Sequence, residues 1–149
     1  MAEIQLTEME KDTLAEIGNI SMGSAATALS TLLNRRVEIT TPRVSLTTLQ
    51  EFEQGFDSQT VIVEVKYLQG LRGENFLILK GEDAGVIAGL MMGKTLAEAP
   101  KKLQELELSA IMEAMNQMVG SSATAMSDFF ERQIDISPPE VKSVDLKEE

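Results

Sequence analysis

The sequence contains no cysteine, no histidine and no tryptophan, and these absences exclude several classes of chemistry. Without histidine or cysteine, the chain cannot form a Ser-His-Asp or Cys-His catalytic group, a CxxC redox centre, a phosphohistidine or a zinc site of the usual ligands. Carboxylates, amides, hydroxyls, lysine and arginine remain. Any catalytic hypothesis must therefore rest on those groups.

Basic side chains are also scarce: 13 Lys and Arg stand against 24 Asp and Glu, a formal net charge of −11. Such a surface repels phosphate backbones and anionic lipids, so we expect no nucleic-acid partner and no membrane insertion. No apolar run reaches the roughly 18 residues of a membrane span, and the start of the chain lacks a signal-peptide pattern. We expect a cytoplasmic protein whose 149 residues form a single domain.

An internal repeat organises the chain. An offset of 97 residues places Leu6 to Pro42 over Leu103 to Pro139 and gives 14 identical residues in 37 positions, where two or three would be expected from ordinary residue usage. Each copy predicts a long helix followed by a short strand, which is Val37 to Thr40 in the first copy and Ile134 to Ser137 in the second. The repeats therefore cover about residues 6–42 and 103–139.

The first predicted helix begins with a capping box at Thr7 and Glu10 and continues to about Leu33, where Asn34 is a plausible stop. Its apolar positions recur at helical spacing, as do those of the second helix. The stripes predicted to face the core include Met9 in one helix and Leu106 in the other.

The segment between the repeats has a different character. Thr60 to Tyr67 and Asn75 to Lys80 predict a β-hairpin joined at Gly70 to Glu74, and Glu82 to Met92 predicts a short helix that Gly93 ends. Two polar stretches are predicted to be solvated loops: Gln50 to Ser58 and the tail Lys147 to Glu149. The expected fold is α+β, a pseudo-twofold duplication with two long repeat helices packed on a mainly antiparallel sheet.

Both long helices contain a glycine within a run of small residues, Gly23 in the first and Gly120 in the second. An interior glycine costs a helix about 1 kcal/mol relative to alanine. We expect the two helices to cross through Gly23 to Ala26 and Gly120 to Ala123 about a pseudo-twofold axis, so that close backbone approach at the glycines offsets the cost. Ordinary packing of each helix on the sheet is the alternative.

A polar motif recurs on both helices. Glu16 and Asn19 are three residues apart and share one helical face, and Glu113 and Asn116 repeat the arrangement. They could be ordinary solvated side chains, but asparagine is a poor helix former, and its recurrence beside a glutamate favours a chemical role. An amide can position a water while a carboxylate holds a cationic group, which suits phosphoryl hydrolysis on a partner that brings its own metal. Two further polar residues precede the glutamates by four positions: Asp12 and Ser109.

The stretch from Glu16 to Ser30, EIGNISMGSAATALS, and the segment Val37 to Pro42 resemble the CheC/FliY/CheX family of bacterial chemotaxis phosphatases. The similarity runs from about Met9 to Val141. It implies a CheC-like fold and dephosphorylation of the aspartyl phosphate of the response regulator CheY at the flagellar motor switch. It also implies a role for each motif residue: the asparagines orient the attacking water, the glutamates contact the active-site lysine of the regulator, and a weaker assignment covers the motif start at Asp12 and Ser109.

The resemblance implies no cofactor in this chain, because the Mg²⁺ belongs to the regulator. The implied partners are phosphorylated CheY and flagellar switch proteins such as FliM and FliN-type domains, at the cytoplasmic face of the flagellar basal body. We expect the chain to be the middle domain of a longer protein. Two alternatives stay open: a non-catalytic, FliM-like scaffold domain, and a free-standing phosphatase of the CheC or CheX type.

Overall fold

A computed structural model of the chain describes residues 5–48, 50–51, 59–100 and 102–145. The predicted loop Gln50 to Ser58 lies mostly outside the described residues, and the tail Lys147 to Glu149 lies entirely outside them. The elements, in chain order, are α1 (Glu8–Leu33), β1 (Gln59–Gln69), β2 (Glu74–Lys80), α2 (Gly81–Met91), a 3-10 turn (Leu96–Glu98), α3 (Glu105–Phe130), β3 (Asp135–Ile136) and β4 (Glu140–Asp145). The α+β class is confirmed.

The two repeat helices, α1 and α3, are both 26 residues long and keep the sequence offset of 97. The capping box predicted for α1 is present: the Thr7 N–H donates to Glu10 Oε1 at 3.0 Å, and the Glu10 N–H donates to Thr7 Oγ1 at 3.1 Å. Asn34 ends α1 in the left-handed conformation with a φ of 53°, and Glu131 ends α3 with the same φ. The repeat therefore preserves helix ends as well as helix interiors.

Helices α1 and α3 cross at a pair of serines. The hydroxyl oxygens of Ser24 and Ser121 are 2.6 Å apart. Each hydroxyl also lies within hydrogen-bond distance of the other residue's carbonyl oxygen, at 3.2 Å and 3.1 Å. Since the two serines are counterparts in the repeat, this reciprocal contact puts a pseudo-twofold axis between them.

The crossing is as expected, but the role predicted for the glycines is wrong. A Cβ built on Gly23 or Gly120 would meet no described residue within 4 Å. Neighbouring helix positions are about 100° apart around the axis, so a helix that presents Ser24 to its partner turns Gly23 away from it. The serines make the close approach, and the glycines lie on another face.

Four antiparallel strands form the sheet, in which β1 pairs with β2 along one edge and with β3 and β4 along the other. The predicted hairpin is confirmed, with Gly70 and Gly73 at positive φ in its turn. A Cβ on Gly70 would also clash with the carbonyl oxygen of Gln133, so the turn has no room for a side chain there. Strand β4, which the sequence analysis missed, pairs Val141 with Val63.

The strand predicted at Val37 to Thr40 is wrong, since the structure has no strand there, and its counterpart in the second copy shortens to β3. Both segments leave their helix in the same way: the Val37 N–H donates to Ser30 Oγ at 2.8 Å, and the Ile134 N–H donates to Ser127 Oγ at 3.0 Å. They differ in what lies beside them. An alternating segment becomes a strand only where a partner offers unpaired N–H and C=O groups, and the edges of β1 are taken by β2, β3 and β4.

The hydrophobic core lies between the sheet and the helices. Alternate residues of β1, Val61, Val63 and Val65, are buried and join a cluster that includes Ile111 and Met115 of α3. This side of α3 holds the helix on the sheet and leaves the opposite side free. None of the helices in the described ranges combines the length and the apolarity that a membrane span requires.

Candidate functional site

The first copy of the polar motif lies on the outer side of α1. Asp12, Glu16 and Asn19 are all exposed. The spacings of four and three residues bring their side chains onto one face of the helix, about one turn apart. The helix thus presents a carboxylate and an amide side by side to whatever approaches from outside.

The second copy occupies the equivalent face of α3. Ser109, Glu113 and Asn116 are exposed there as well. The opposite side of α3, including Ile111 and Met115, is buried in the core, which fixes the direction in which the motif points. The structure therefore brings each predicted Glu-Asn pair together on its own helix, and it presents two such pairs.

The side-chain amides of the two asparagines are available to a partner molecule. In the described part of the chain, neither Asn19 nor Asn116 makes a side-chain hydrogen bond. The two copies differ at the glutamate, because Glu113 Oε1 accepts a hydrogen bond from Gln117 Nε2 at 3.2 Å, whereas Ile20 stands at the position equivalent to Gln117. Each amide can still offer its carbonyl oxygen and NH₂ group to a water and a partner at once.

The chain that follows α1 folds back along this helix, and Pro42 lies next to Gly18. A Cβ built on Gly18 would lie 3.8 Å from both Cβ and Cγ of Pro42, an ordinary packing distance. Gly18 immediately precedes Asn19 but points to a different side of the helix. Pro42 thus packs on the side of α1 that the motif does not use.

The motif residues are exposed on the outer faces of their helices. The core contains a cavity of about 20 Å³ between Met22, Tyr67 and Met118, and no motif residue is part of its lining. Within the described ranges, no group of three acidic side chains is placed to hold a metal ion. An exposed amide and carboxylate of this kind can complete a reaction centre on another molecule, which must supply the pocket.

Two features of these helices escaped the sequence analysis. Met9 and Leu106, predicted to face the core, are 78% and 64% exposed. Gly23 and Gly120, predicted to face the other helix, face open space. The repeat could have predicted the outward direction of these four residues. They lie three, four or seven residues from motif residues, at matching positions in both copies, and therefore share the exposed face of the motif.

The sequence matches a profile of the CheC-like family over residues 9–46 and 106–143, which overlap most of the two repeats. The flagellar motor switch phosphatase FliY of Bacillus subtilis (strain 168) is 51% identical over 144 residues, which are 97% of this chain and 38% of that protein. The CheY-P phosphatase CheC of the same organism is 30% identical over 145 residues, which are 95% of this chain and 69% of that protein. The chain thus spans well under half the length of the FliY that it matches.

Solved structures show the same architecture. The crystal structure of Thermotoga maritima FliY superposes with a TM-score of 0.90 at 44% identity and covers 97% of this chain and 73% of that one. The FliM middle domain from H. pylori superposes with a TM-score of 0.76 at 14% identity, over 92% of this chain and 73% of that one. At that identity the second likeness concerns the fold alone.

Proposed function

Because the chain belongs to the CheC-like family, we propose that it is a phosphatase that accelerates hydrolysis of the aspartyl phosphate of the chemotaxis response regulator CheY at the flagellar motor switch. One observation carries the proposal: the Glu-Asn pair is exposed on both repeat helices, with amides that no described residue engages. The names of the relatives support it, since FliY is a flagellar motor switch phosphatase and CheC a CheY-P phosphatase.

In the proposed mechanism, Asn19 at one site and Asn116 at the other insert beside the acyl phosphate of the regulator. The amide holds a water in line with the bond between phosphorus and the aspartate oxygen. The water oxygen bonds to phosphorus, the acyl-phosphate bond breaks, and inorganic phosphate and the free aspartate carboxylate are released. The water proton leaves with the phosphate or passes to solvent, so the chain needs no general base of the histidine type.

Glu16 and Glu113 have a positioning role in this mechanism. Each carboxylate contacts the active-site lysine of the regulator and fixes the helix over the phosphorylated pocket. Asp12 and Ser109 lie one turn away towards the N terminus and extend the polar contact. The chain requires no cofactor of its own, because the Mg²⁺ bound by the regulator stabilises the charge on the transferred phosphoryl group.

The rate acceleration that the amide must supply is modest. An acyl phosphate hydrolyses unaided, so the enzyme has only to fix the geometry of the water. A 100-fold acceleration corresponds to about 2.7 kcal/mol of transition-state stabilisation. Fixing one nucleophile in a productive position can supply that amount.

The name of the relative FliY supports a setting for the proposed reaction. FliY is named for the flagellar motor switch, and the fold is also that of the FliM middle domain. We therefore assign this chain to the switch, with FliM and FliN-type domains as its neighbours and the cytoplasmic face of the basal body as its location. A free-standing phosphatase of the CheC type would perform the same chemistry without those neighbours.

The decisive experiment is a single-turnover assay with radiolabelled phospho-CheY. The variant that combines Asn19→Ala with Asn116→Ala should show no acceleration over the unaided hydrolysis, because neither site can then orient a water. Its circular dichroism spectrum should equal that of the wild type, since both side chains are exposed.

The control variant is Gln133→Ala, which removes an exposed amide beyond the C-terminal end of α3. Gln133 lies outside α3, and its side-chain NH₂ group donates to Asp135, so the rate should equal that of the wild type. Acceleration retained by the double variant would reject the roles of the asparagines. No acceleration by the wild type would favour the non-catalytic, FliM-like scaffold.

A further inference from the structure

The face that carries the motif is longer than the motif. On α1 it begins at Met9, passes through Glu16 and Asn19 and continues to Gly23, at successive spacings of three or four residues. The separation of 14 residues between Met9 and Gly23 corresponds to about 21 Å along the helix. The equivalent face of α3 runs from Leu106 to Gly120. The proposed reaction uses only the middle of each face.

The glycine end of each face is unfavourable for the isolated helix. Gly23 and Gly120 lie inside 26-residue helices, where glycine is less favourable than alanine by about 1 kcal/mol. No described residue would meet a Cβ at either position. Gly18 is different, since Pro42 packs against it. Among the described residues, nothing requires a glycine at 23 or 120.

The opposite end of each face is apolar. Met9 and Leu106 occupy matching positions in the repeat and are 78% and 64% exposed. They stand seven residues, or two turns, before Glu16 and Glu113 on the same side of their helices. A protein that binds either face could bury the exposed apolar side chain there, and removal of apolar surface from water favours association.

The proposed function already places phosphorylated CheY on the middle of each face. We infer that this contact extends over the whole face, from Met9 to Gly23 and from Leu106 to Gly120, and that the backbone of the regulator packs directly on the helix at the glycine. The inference rests on the proposed function, because the occupant is identified by its continuity with the Glu-Asn pair. Gly23 is one turn beyond Asn19. A regulator whose pocket receives the amide must bring the rim of that pocket over the neighbouring turns, where a Cβ would stand in its way.

The inference makes stability and docking respond in opposite directions. The double variant Gly23→Ala/Gly120→Ala should be more stable than the wild type, with a melting temperature about 2 to 4 °C higher for each substitution. The same variant should dock less well, because the added methyl groups separate the two backbones. We expect its KM for phospho-CheY to rise about fivefold or more, while kcat at saturation stays within about twofold.

Docking can be measured without catalysis. Isothermal titration calorimetry with CheY loaded with beryllofluoride, an analogue of the phosphoryl group, gives the Kd directly. We expect the Kd to rise by the same factor as the KM for Gly23→Ala/Gly120→Ala and to rise further for Gly23→Gln/Gly120→Gln. Glutamine is also a good helix former, so the second variant adds bulk without the helix penalty of glycine.

The matched control is Gly18→Ala, a substitution in the interior of α1 on the side away from the docking face. It should raise the melting temperature by a similar amount and leave both KM and Kd unchanged. A Kd for Gly23→Ala/Gly120→Ala equal to that of the wild type and of this control would overturn the inference. So would a fall in kcat at constant KM, since that would place the glycines in the chemical step.

Failure of the proposed function gives a different result. In that case the wild type would not accelerate hydrolysis at all, yet the calorimetric comparison would still test the docking face. If the wild type binds CheY, and variants with larger side chains at positions 23 and 120 bind it less tightly, the docking face is supported although the chain is not a phosphatase. If the wild type does not bind CheY, both the docking surface and the identity of its partner are overturned.

Discussion

Asn19 and Asn116 are poor choices for the interior of a helix, and the described structure gives neither a hydrogen bond in return. Gly23 and Gly120 are poor helix formers as well, and a Cβ at either position would meet no described residue within 4 Å. All four residues lie on faces that look away from the core. At the scale of single residues, the cost to helix stability is therefore concentrated where the proposed partner binds.

Glu10 supports a prediction about pH, also at the residue scale. Hydrogen bonds from the backbone N–H and the hydroxyl of Thr7 lower the pKa of Glu10 below its ordinary value of 4.5. A carboxylate whose pKa is lower in the folded state stabilises the fold above the unfolded-state pKa, and this stabilisation is lost as the pH falls through the folded-state pKa. The free energy of unfolding of the wild type should therefore fall more steeply below about pH 5 than that of Glu10→Gln.

Urea denaturation at a series of pH values measures both slopes. The control is Glu74→Gln, an exposed carboxylate at the start of β2, which should retain the wild-type slope. At neutral pH, Glu10→Gln should be the less stable protein, and the difference should vanish in acid. Equal slopes for the wild type and Glu10→Gln would mean that the capping box does not depend on the charge.

At the scale of elements, each repeat helix serves two purposes on different sides. The crossing serines and the core residues face inward, and the motif faces outward, because positions three or four apart share a side while adjacent positions do not. Ser24 and Gly23 illustrate this division on α1. One helix can therefore hold the fold together and meet a partner without conflict.

The serine pair at the crossing supports a prediction about coupling between α1 and α3. Ser24→Ala and Ser121→Ala should each lower the free energy of unfolding by about 1 kcal/mol, because each removes one partner of the shared hydrogen bonds. The double variant should lose less than the sum, by about 0.5 kcal/mol or more, since the second substitution has less left to remove.

Thermal or urea unfolding of the four proteins completes this double-mutant cycle. Ser122→Ala, next to the crossing on α3, is the control, and its effect should add to that of Ser24→Ala within about 0.5 kcal/mol. Strict additivity for Ser24 and Ser121 would show that the reciprocal contact contributes nothing to the crossing.

The whole molecule presents two copies of the motif, one on each of two helices that cross at Ser24 and Ser121. The helices, their caps and the serine bonds that follow them repeat at an offset of 97 residues, whereas the hairpin and α2 occur once. The two Glu-Asn pairs thus share a frame but not all their surroundings, as the bond between Glu113 and Gln117 shows. The chain thus carries a duplicated surface motif on a sheet that is not duplicated.

This arrangement predicts how the two sites combine. Asn19→Ala and Asn116→Ala, made singly, should each retain part of the phosphatase rate. The two retained rates should add up to that of the wild type, because the two motifs lie on different helices and share no residue. Single-turnover hydrolysis of phospho-CheY checks the sum. Complete loss from one substitution alone would mean that only one site works.

Much of the fold could be predicted because its signals are local. A capping box, a left-handed stop and glycines in a tight turn act over three or four residues, and the structure has each of them at Thr7, Asn34 and Gly70. The strand at Val37 to Thr40 was predicted by the same kind of signal and is absent. Alternation indicates that a segment can pair, but it does not indicate which edge is free.

The sequence alone determined the repeat, the lengths of its helices, the hairpin and the positions of the two Glu-Asn pairs, because each follows from the identity of residues close together in the chain. Only the tertiary structure decided that β4 pairs with β1, as between Val141 and Val63, and that Ser24 and Ser121 make the crossing. The tertiary structure also left Met9, Leu106 and both glycines facing outward. The physical reason is that pairing and burial depend on groups many tens of residues apart, for which a helical or alternating pattern specifies a face but not the neighbour that covers it.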